Sequence, residues 1–160
     1  MIRINVIAVG KLKENYLRQA CEEYIKRIKA YSKITVTEVS EERCSDNPSD
    51  AEIENVIDKE GKRIIAKIPK GSFVIPLCIE GTQYASEEFS KKIDSISLSG
   101  LSDITFIIGG SFGLSNEVKN LGKIKLSFGK LTLPHQLMRV VLLEQIYRAF
   151  SISNNGKYHK

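Results

Sequence analysis

Two hydrophobic periods alternate along the chain. The opening run IRINVIAVG (2–10) is apolar and β-branched and stops at a glycine, which predicts a strand. Leu17, Ala20, Cys21, Tyr24, Ile25 and Ile28 then recur at helical spacing and predict an amphipathic helix over about 14–30. KITVTEVSE (33–41) alternates as a strand, and CSDNPSD follows as a loop rich in turn residues. Ser49 with Glu52 three residues on reads as a capping box, opening a helix whose apolar face is Ile53, Val56, Ile57, Ile64, Ile65 and Ile68. SFVIPLCIEG (72–81) predicts a strand, although Pro76 removes a ladder donor. Either that strand is short or the chain breaks there to make a pocket. Ser86 is expected to cap a helix with the acidic first turn Glu87-Glu88 and inward Phe89, Ile93 and Ile96. DITFIIGG (103–110) has the continuous apolar character of a strand buried on both faces. A brief helix near 115–121, a strand at 123–129 and a long helix from about Thr132 or Pro134 to about 150 complete the pattern.

Strict alternation of strands and helices predicts an α/β fold, an open and mostly parallel sheet with helices on both faces, in a single domain over 1–160. Such sheets bind ligands outside the carboxyl ends of their strands. That directs attention to Gly10-Lys11, Glu80-Gly81, Gly109-Gly110 and the residues from Gly129 onward.

Composition narrows the class. At 42% hydrophobic, 160 residues can build a core. No apolar run reaches the roughly 18–20 residues that span a bilayer, and the apolar start is too short for a signal peptide, so a soluble cytoplasmic protein is expected. Cys21, Cys44 and Cys78 form no CxxC, and the two histidines are far apart, so no metal site is expected. Charge is uneven. Residues 1–80 hold 14 Lys/Arg against 13 Asp/Glu, whereas 118–160 hold eight basic residues against the single acid Glu144. A basic terminal quarter suits a polyanionic partner, and equally an ordinary solvated surface.

Neither GxGxxG nor GxxxxGK[ST] is present, which argues against a dinucleotide fold and a P-loop. IIGGSFGLS (107–115) has glycines that let backbone approach a ligand closely, or that serve a strand-to-helix turn. In LSFGKLTLPHQLMRVVLLEQIYRAF (126–150) a loop rich in backbone donors enters a helix bearing His135, Arg139, Glu144 and Arg148. Glu144 and Arg148, four apart, can pair. The chain ends SISNNGKYHK, with Tyr158 and His159 where most chains fray.

The glycine run, the Leu-Pro-His-x-x-x-Arg stretch, YRAF and the terminal Tyr-His, in this order, resemble the H-type ribosomal RNA large-subunit methyltransferases of the SPOUT superfamily. IAVGKLKENY, DKEG (58–61) and LCIEG (77–81) resemble them too, so the likeness spans the chain. The resemblance implies a C-terminal deep trefoil knot, a homodimer, and methylation of N3 of a pseudouridine in large-subunit rRNA on the assembled ribosome. It implies S-adenosylmethionine as cofactor, held by Leu77, Gly109, Phe128, Gly129, Lys130, Leu131, Thr132 and Leu133. Lys130 departs from the family pattern. With that resemblance, His159 is the candidate base and Arg148 a group for developing negative charge or a phosphate. Glu144 would orient Arg148, and Tyr158 would stack on the base. The tail after the flexible-looking SNNG is then expected to be ordered by substrate or by the partner subunit. A non-catalytic ribosome-binding protein and a tRNA-directed SPOUT enzyme are the rival readings.

Overall fold

A computed structural model describes residues 1–160. Strand β1 (Arg3–Val9) is followed by helix α1 (Asn15–Ile28), strand β2 (Lys33–Val39), helix α2 (Asp50–Ile65), strand β3 (Phe73–Thr82) and helix α3 (Ser86–Leu98). Strand β4 (Asp103–Ile108), helix α4 (Asn116–Leu121) and helix α5 (His135–Ser153) complete the chain. The four strands form one parallel sheet in the order β2-β1-β4-β3. No helix is long and apolar enough to cross a membrane.

Period-two alternation on β1 sends Ile4, Val6 and Ala8 to one face, where α1, α3 and α5 cover them, and Ile7 and Val9 to the other, under α2 and α4. The central strand β4 is buried at all six positions, as its apolar run predicts. Helix α5 packs between α1 and α3, and its Leu142, Leu143 and Ile146 are fully buried. At the amino end of the sheet the paired residues Arg3 and Asp103 clasp β1 to β4: Arg3 Nε donates to Asp103 at 2.9 Å, with Asn5 and Ser102 adding further hydrogen bonds. That carboxyl is held well below the usual carboxylate range, chiefly by the Arg3 hydrogen bond. The stability it contributes is complete above the unfolded carboxylate value and is lost progressively as pH falls below about 4.

Several expectations change. Residues 123–129 form no strand. Only Leu126 pairs, making isolated parallel bridges to both Leu77 and Thr82. The Thr82 amide donates to the Lys125 carbonyl at 2.8 Å, and the Ser127 amide donates to the Thr82 carbonyl at 2.9 Å. Segment 125–127 thus lies inside the bend of residues 77–82, where a Cβ on Gly81 would meet Lys125 O at 2.6 Å. Pro76 is accommodated because β3 is an edge strand and its ladder with β4 ends at the Pro76–Ile107 pair. Ser49 does cap α2, accepting from the Glu52 amide at 3.2 Å. Ser86 does not cap α3. The N-cap is Ala85, whose amide donates to Glu88 Oε2 at 2.8 Å, and Ser86 instead donates to Gln145 at 3.0 Å.

One charged group sits against the grain of this packing. Glu60 on α2 is 2% exposed, has no cation of its own, and uses one oxygen to accept from the Glu42 amide at 3.0 Å. Its other oxygen has no partner. Burial pushes its pKa up, outweighing the Glu42 amide hydrogen bond, which pulls it down, and the Glu41 carboxylate nearby adds to the rise. A folded-state carboxyl with a raised pKa costs nothing while both states are protonated and destabilises as pH rises through the unfolded value. The melting-temperature difference between Glu60→Gln and wild type should therefore move in favour of the variant from pH 4 to pH 8. A difference independent of pH would show that Glu60 is not held in this way.

Candidate active site

The carboxyl ends of β3 and β4 open into a cleft of about 710 Å³, within the roughly 300–1,000 Å³ usual for small-molecule sites. Three segments wall it: 77–80 at the end of β3, 108–114 after β4, and 126–138 leading into α5. Gly113 at φ +83° closes a turn by donating its amide to the Gly110 carbonyl at 3.1 Å. A Cβ on Gly109 would sit 2.8 Å from the Gly113 carbonyl, so the glycines here serve close packing of the turn on itself. Glu60 lies beneath, with Oε1 3.1 Å from where a Gly110 Cβ would stand. On the opposite wall, Ser127 Oγ donates to the Ile79 carbonyl at 2.8 Å and accepts from the Gly129 amide at 3.2 Å. Gly129 takes φ +124°, which only glycine adopts readily.

Seven of the eight residues expected to hold the cofactor line this cleft: Leu77, Gly109, Phe128, Gly129, Leu131, Thr132 and Leu133. Lys130 does not; it is exposed on the outside of the loop. Side chains absent from the expected set also line it, among them Phe112, Lys119, His135 and Met138. Glu80 and Gly110 could be found from the strand-end rule, but nothing local marked Lys119, which reaches Glu80 from α4 at 2.6 Å. Cys78 lines the cleft too, but burial raises its pKa, so it is a poor nucleophile.

The four expected catalytic side chains come together, but none of them lines the cleft. Glu144 Oε1 accepts from Arg148 Nε at 3.0 Å, from Arg148 Nη2 at 2.6 Å and from the Tyr158 hydroxyl at 3.1 Å. Arg148 Nη1 contacts His159 Nδ1 at 3.1 Å, and His159 Nε2 contacts Glu87 on α3 at 2.8 Å. A guanidinium can only donate, so Nδ1 is the acceptor and the proton sits on Nε2, donated to Glu87. Both ring nitrogens are therefore occupied, and a base role needs His159 to leave Arg148. The Tyr158 ring meets Tyr147 edge-on at 4.7 Å, with the Arg148 guanidinium 4.8 Å from its centroid. Burial is the main cause that pushes the Tyr158 hydroxyl up to about 12, so it stays protonated.

In the structure the tail is docked on its own chain. Asn155 adopts the left-handed conformation at φ 54°, its amide donates to Ile152, and the Gly156 amide donates to Ser151 at 2.7 Å. This is a complete Schellman turn. SNNG is thus a helix stop that folds Lys157–Lys160 back along α5, and not the flexible stretch its composition suggests. A signal was present in the sequence: asparagine is the usual substitute for glycine at that position.

A four-stranded parallel sheet with a glycine-walled cleft at its carboxyl ends, and a chain segment caught against residues 77–82 at the end of β3, defines the class. The chain belongs to the SPOUT methyltransferase family: it matches the family described as "Predicted SPOUT methyltransferase" over residues 2–159. It is 52% identical over 159 residues to the ribosomal RNA large subunit methyltransferase H of Leuconostoc mesenteroides subsp. mesenteroides and to that of Streptococcus pneumoniae, covering 99% of this chain and 100% of each relative. Among solved structures it resembles the tRNA (m1G37) methyltransferase from Aquifex aeolicus, with a TM-score of 0.52 at 14% identity, covering 91% of this chain and 69% of that one. That likeness concerns the fold alone.

The docked tail is part of the fold, and this sets a thermal expectation. Tyr158→Ala removes a packed ring and should lower the melting temperature by several degrees, corresponding to roughly 2–3 kcal/mol for a part-buried aromatic. Tyr158→Phe keeps the ring and should cost about 1 kcal/mol or less. Equal melting temperatures for wild type and Tyr158→Ala would mean that the tail is free in solution.

Proposed function

We propose that this chain, as one methyltransferase domain over 1–160, transfers a methyl group from S-adenosylmethionine to N3 of a pseudouridine in large-subunit ribosomal RNA, on the assembled ribosome in the cytoplasm. The observation that carries the reading is the cleft, whose lining includes Leu77, Gly109, Phe128, Gly129 and Leu131–Leu133. The names of the full-length relatives support the rRNA substrate. Segment 125–127 inside the 77–82 bend supports the knotted path.

S-adenosylmethionine, when bound, supplies an electrophilic methyl on sulfur. The apolar walls Leu77, Phe128 and Leu131 and the backbone amides of 128–133 hold and orient it there. N3 lies between two carbonyls and attacks only as its proton leaves. With the methyl held beside it, N3 would displace it from the sulfonium, the sulfur leaving as the neutral thioether. Arg148 stabilises the developing imidate charge, and Glu144 fixes its guanidinium. His159, once freed from Arg148, takes the N3 proton on Nδ1.

Within one protomer this cluster is displaced from the cleft. Glu144 and Arg148 lie six and ten residues along α5 from Met138, roughly 9–15 Å at the helical rise. A homodimer whose two-fold interface set each tail beside the other subunit's cleft would resolve the separation. Ile79, Phe112, Leu131 and Leu137 are exposed apolar groups at or beside the cleft that such an interface would cover.

Transfer from labelled cofactor to free rRNA, isolated subunits, whole ribosomes and tRNA should label whole ribosomes alone. Labelled tRNA would favour the tRNA-directed reading, and absent cofactor binding by calorimetry would favour a non-catalytic ribosome binder. Mixing Gly109→Arg with His159→Ala subunits should recover roughly a quarter of wild-type activity, the share of intact sites in random two-fold dimers. No recovery would place the tail in its own subunit's site.

A further inference from the structure

Loop 128–134 has no regular structure, yet it carries six of the eight residues assigned to the cofactor. Its shape therefore depends on how its two ends are held. Ser127 fixes the upstream end. The downstream end runs into α5, and two side chains near the start of that helix reach back to the β1–α1 connection. Gln136 Oε1 accepts from the Lys13 amide at 3.0 Å. Arg139 lies deeper: its side chain is 3% exposed, Nη1 donates to Glu38 Oε2 at 2.6 Å, and Nη2 donates to the Gly10 carbonyl at 3.1 Å. Glu38 belongs to β2 and Gly10 follows β1. One guanidinium thus joins the carboxyl ends of two strands to the helix that walls the cleft through His135 and Met138.

Packing alone does not account for an arginine here. Its Nε is buried without a partner, and an apolar side chain of similar volume would avoid that desolvation cost. A guanidinium offers what an apolar chain cannot, a rigid fork that fixes distance and direction between three elements. Gly10 holds φ +85°, so its carbonyl direction is set by a conformation that other residues rarely adopt. Neither Gly10 nor Lys11 lines the cleft, and the Arg139 contact gives this strand end a role.

We propose that Arg139, anchored by Glu38 and the Gly10 carbonyl, is a positioning residue that sets the binding shape of loop 128–134 without touching the ligand. The inference rests on the reading that the cleft holds S-adenosylmethionine. The test is calorimetric titration of S-adenosylmethionine into wild type, Arg139→Lys, Arg139→Met and Gln136→Ala, well below each melting temperature. KM for cofactor and for ribosomes is measured in parallel. Arg139→Met leaves Glu38, which is 39% exposed, free to be solvated, so the variant should fold with a melting temperature near wild type. Both Arg139 variants should lose about tenfold or more in cofactor affinity, with KM for cofactor raised and KM for ribosomes unmoved. Gln136→Ala, which strands no buried charge, should lose roughly two- to fivefold. Wild-type affinity in the Arg139 variants, or equal losses in both KM values, overturns the inference. Should the Arg139 variants fail to fold, unchanged affinity in Gln136→Ala overturns it alone. A wild-type protein that binds no S-adenosylmethionine sinks the cleft reading and this inference together.

Discussion

The rest of the site depends on the capture of Lys125–Ser127 by the bend of residues 77–82. Leu126 is 3% exposed and bridges Leu77 on one side and Thr82 on the other, while Ser127 ties down Ile79 and Gly129. Because the segment is fixed at that depth, the chain emerges at Phe128 already inside the cleft. The cost is close approach: Gly81 has no room for a side chain, and Gly122 packs directly on the Pro76 ring. Pro76 ends the ladder with β4 at the point where the chain must turn toward its second partner, Leu126. The residue that was awkward as a strand member suits the place where the sheet gives way to the cleft.

The two ends of the sheet use charge in opposite ways. At the amino end Asp103 is satisfied by Arg3, Asn5 and Ser102, and it favours the folded state at every pH above strong acid. At the carboxyl end Glu60 is desolvated under the glycine turn with one oxygen unpartnered, and Arg139 keeps an unpartnered Nε. Buried groups left unsatisfied are uncommon enough to need a reason. Here both lie behind cleft walls, so strain is concentrated where the loops must be held in a particular shape, and the closed end of the sheet offsets it.

The periodicities were enough for β1–β4 and all five helices to within a few residues, because each buries one face or both against a neighbour and the apolar spacing records that. They failed at 123–129, where alternation is present but the partners are a bend and a single residue rather than a strand. They failed at Ser86, whose hydroxyl serves Gln145 on α5 because a tertiary partner outcompetes the local cap. The path of 125–127 could not be read from pattern at all, since one residue bridging two positions of the same segment leaves no periodic signal. Among the site residues, those at strand ends were visible because the strands aim them. Lys119 and Met138 were not, because only the packing of α4 and α5 against the strand ends brings them in.

The charge asymmetry changes meaning once the side chains are placed. Of the eight basic residues in 118–160, Arg139 is buried on Glu38, Arg148 is paired to Glu144 and Lys119 to Glu80. The five left without an acidic partner are all lysines: Lys123, Lys125, Lys130, Lys157 and Lys160. The division follows the chemistry of the two cations. A planar fork serves where direction matters, inside the protein, and a mobile ammonium serves where a phosphate backbone offers charge in no fixed register. Both arginines of the basic quarter are tied to carboxylates of the fold, and these five lysines are left without one.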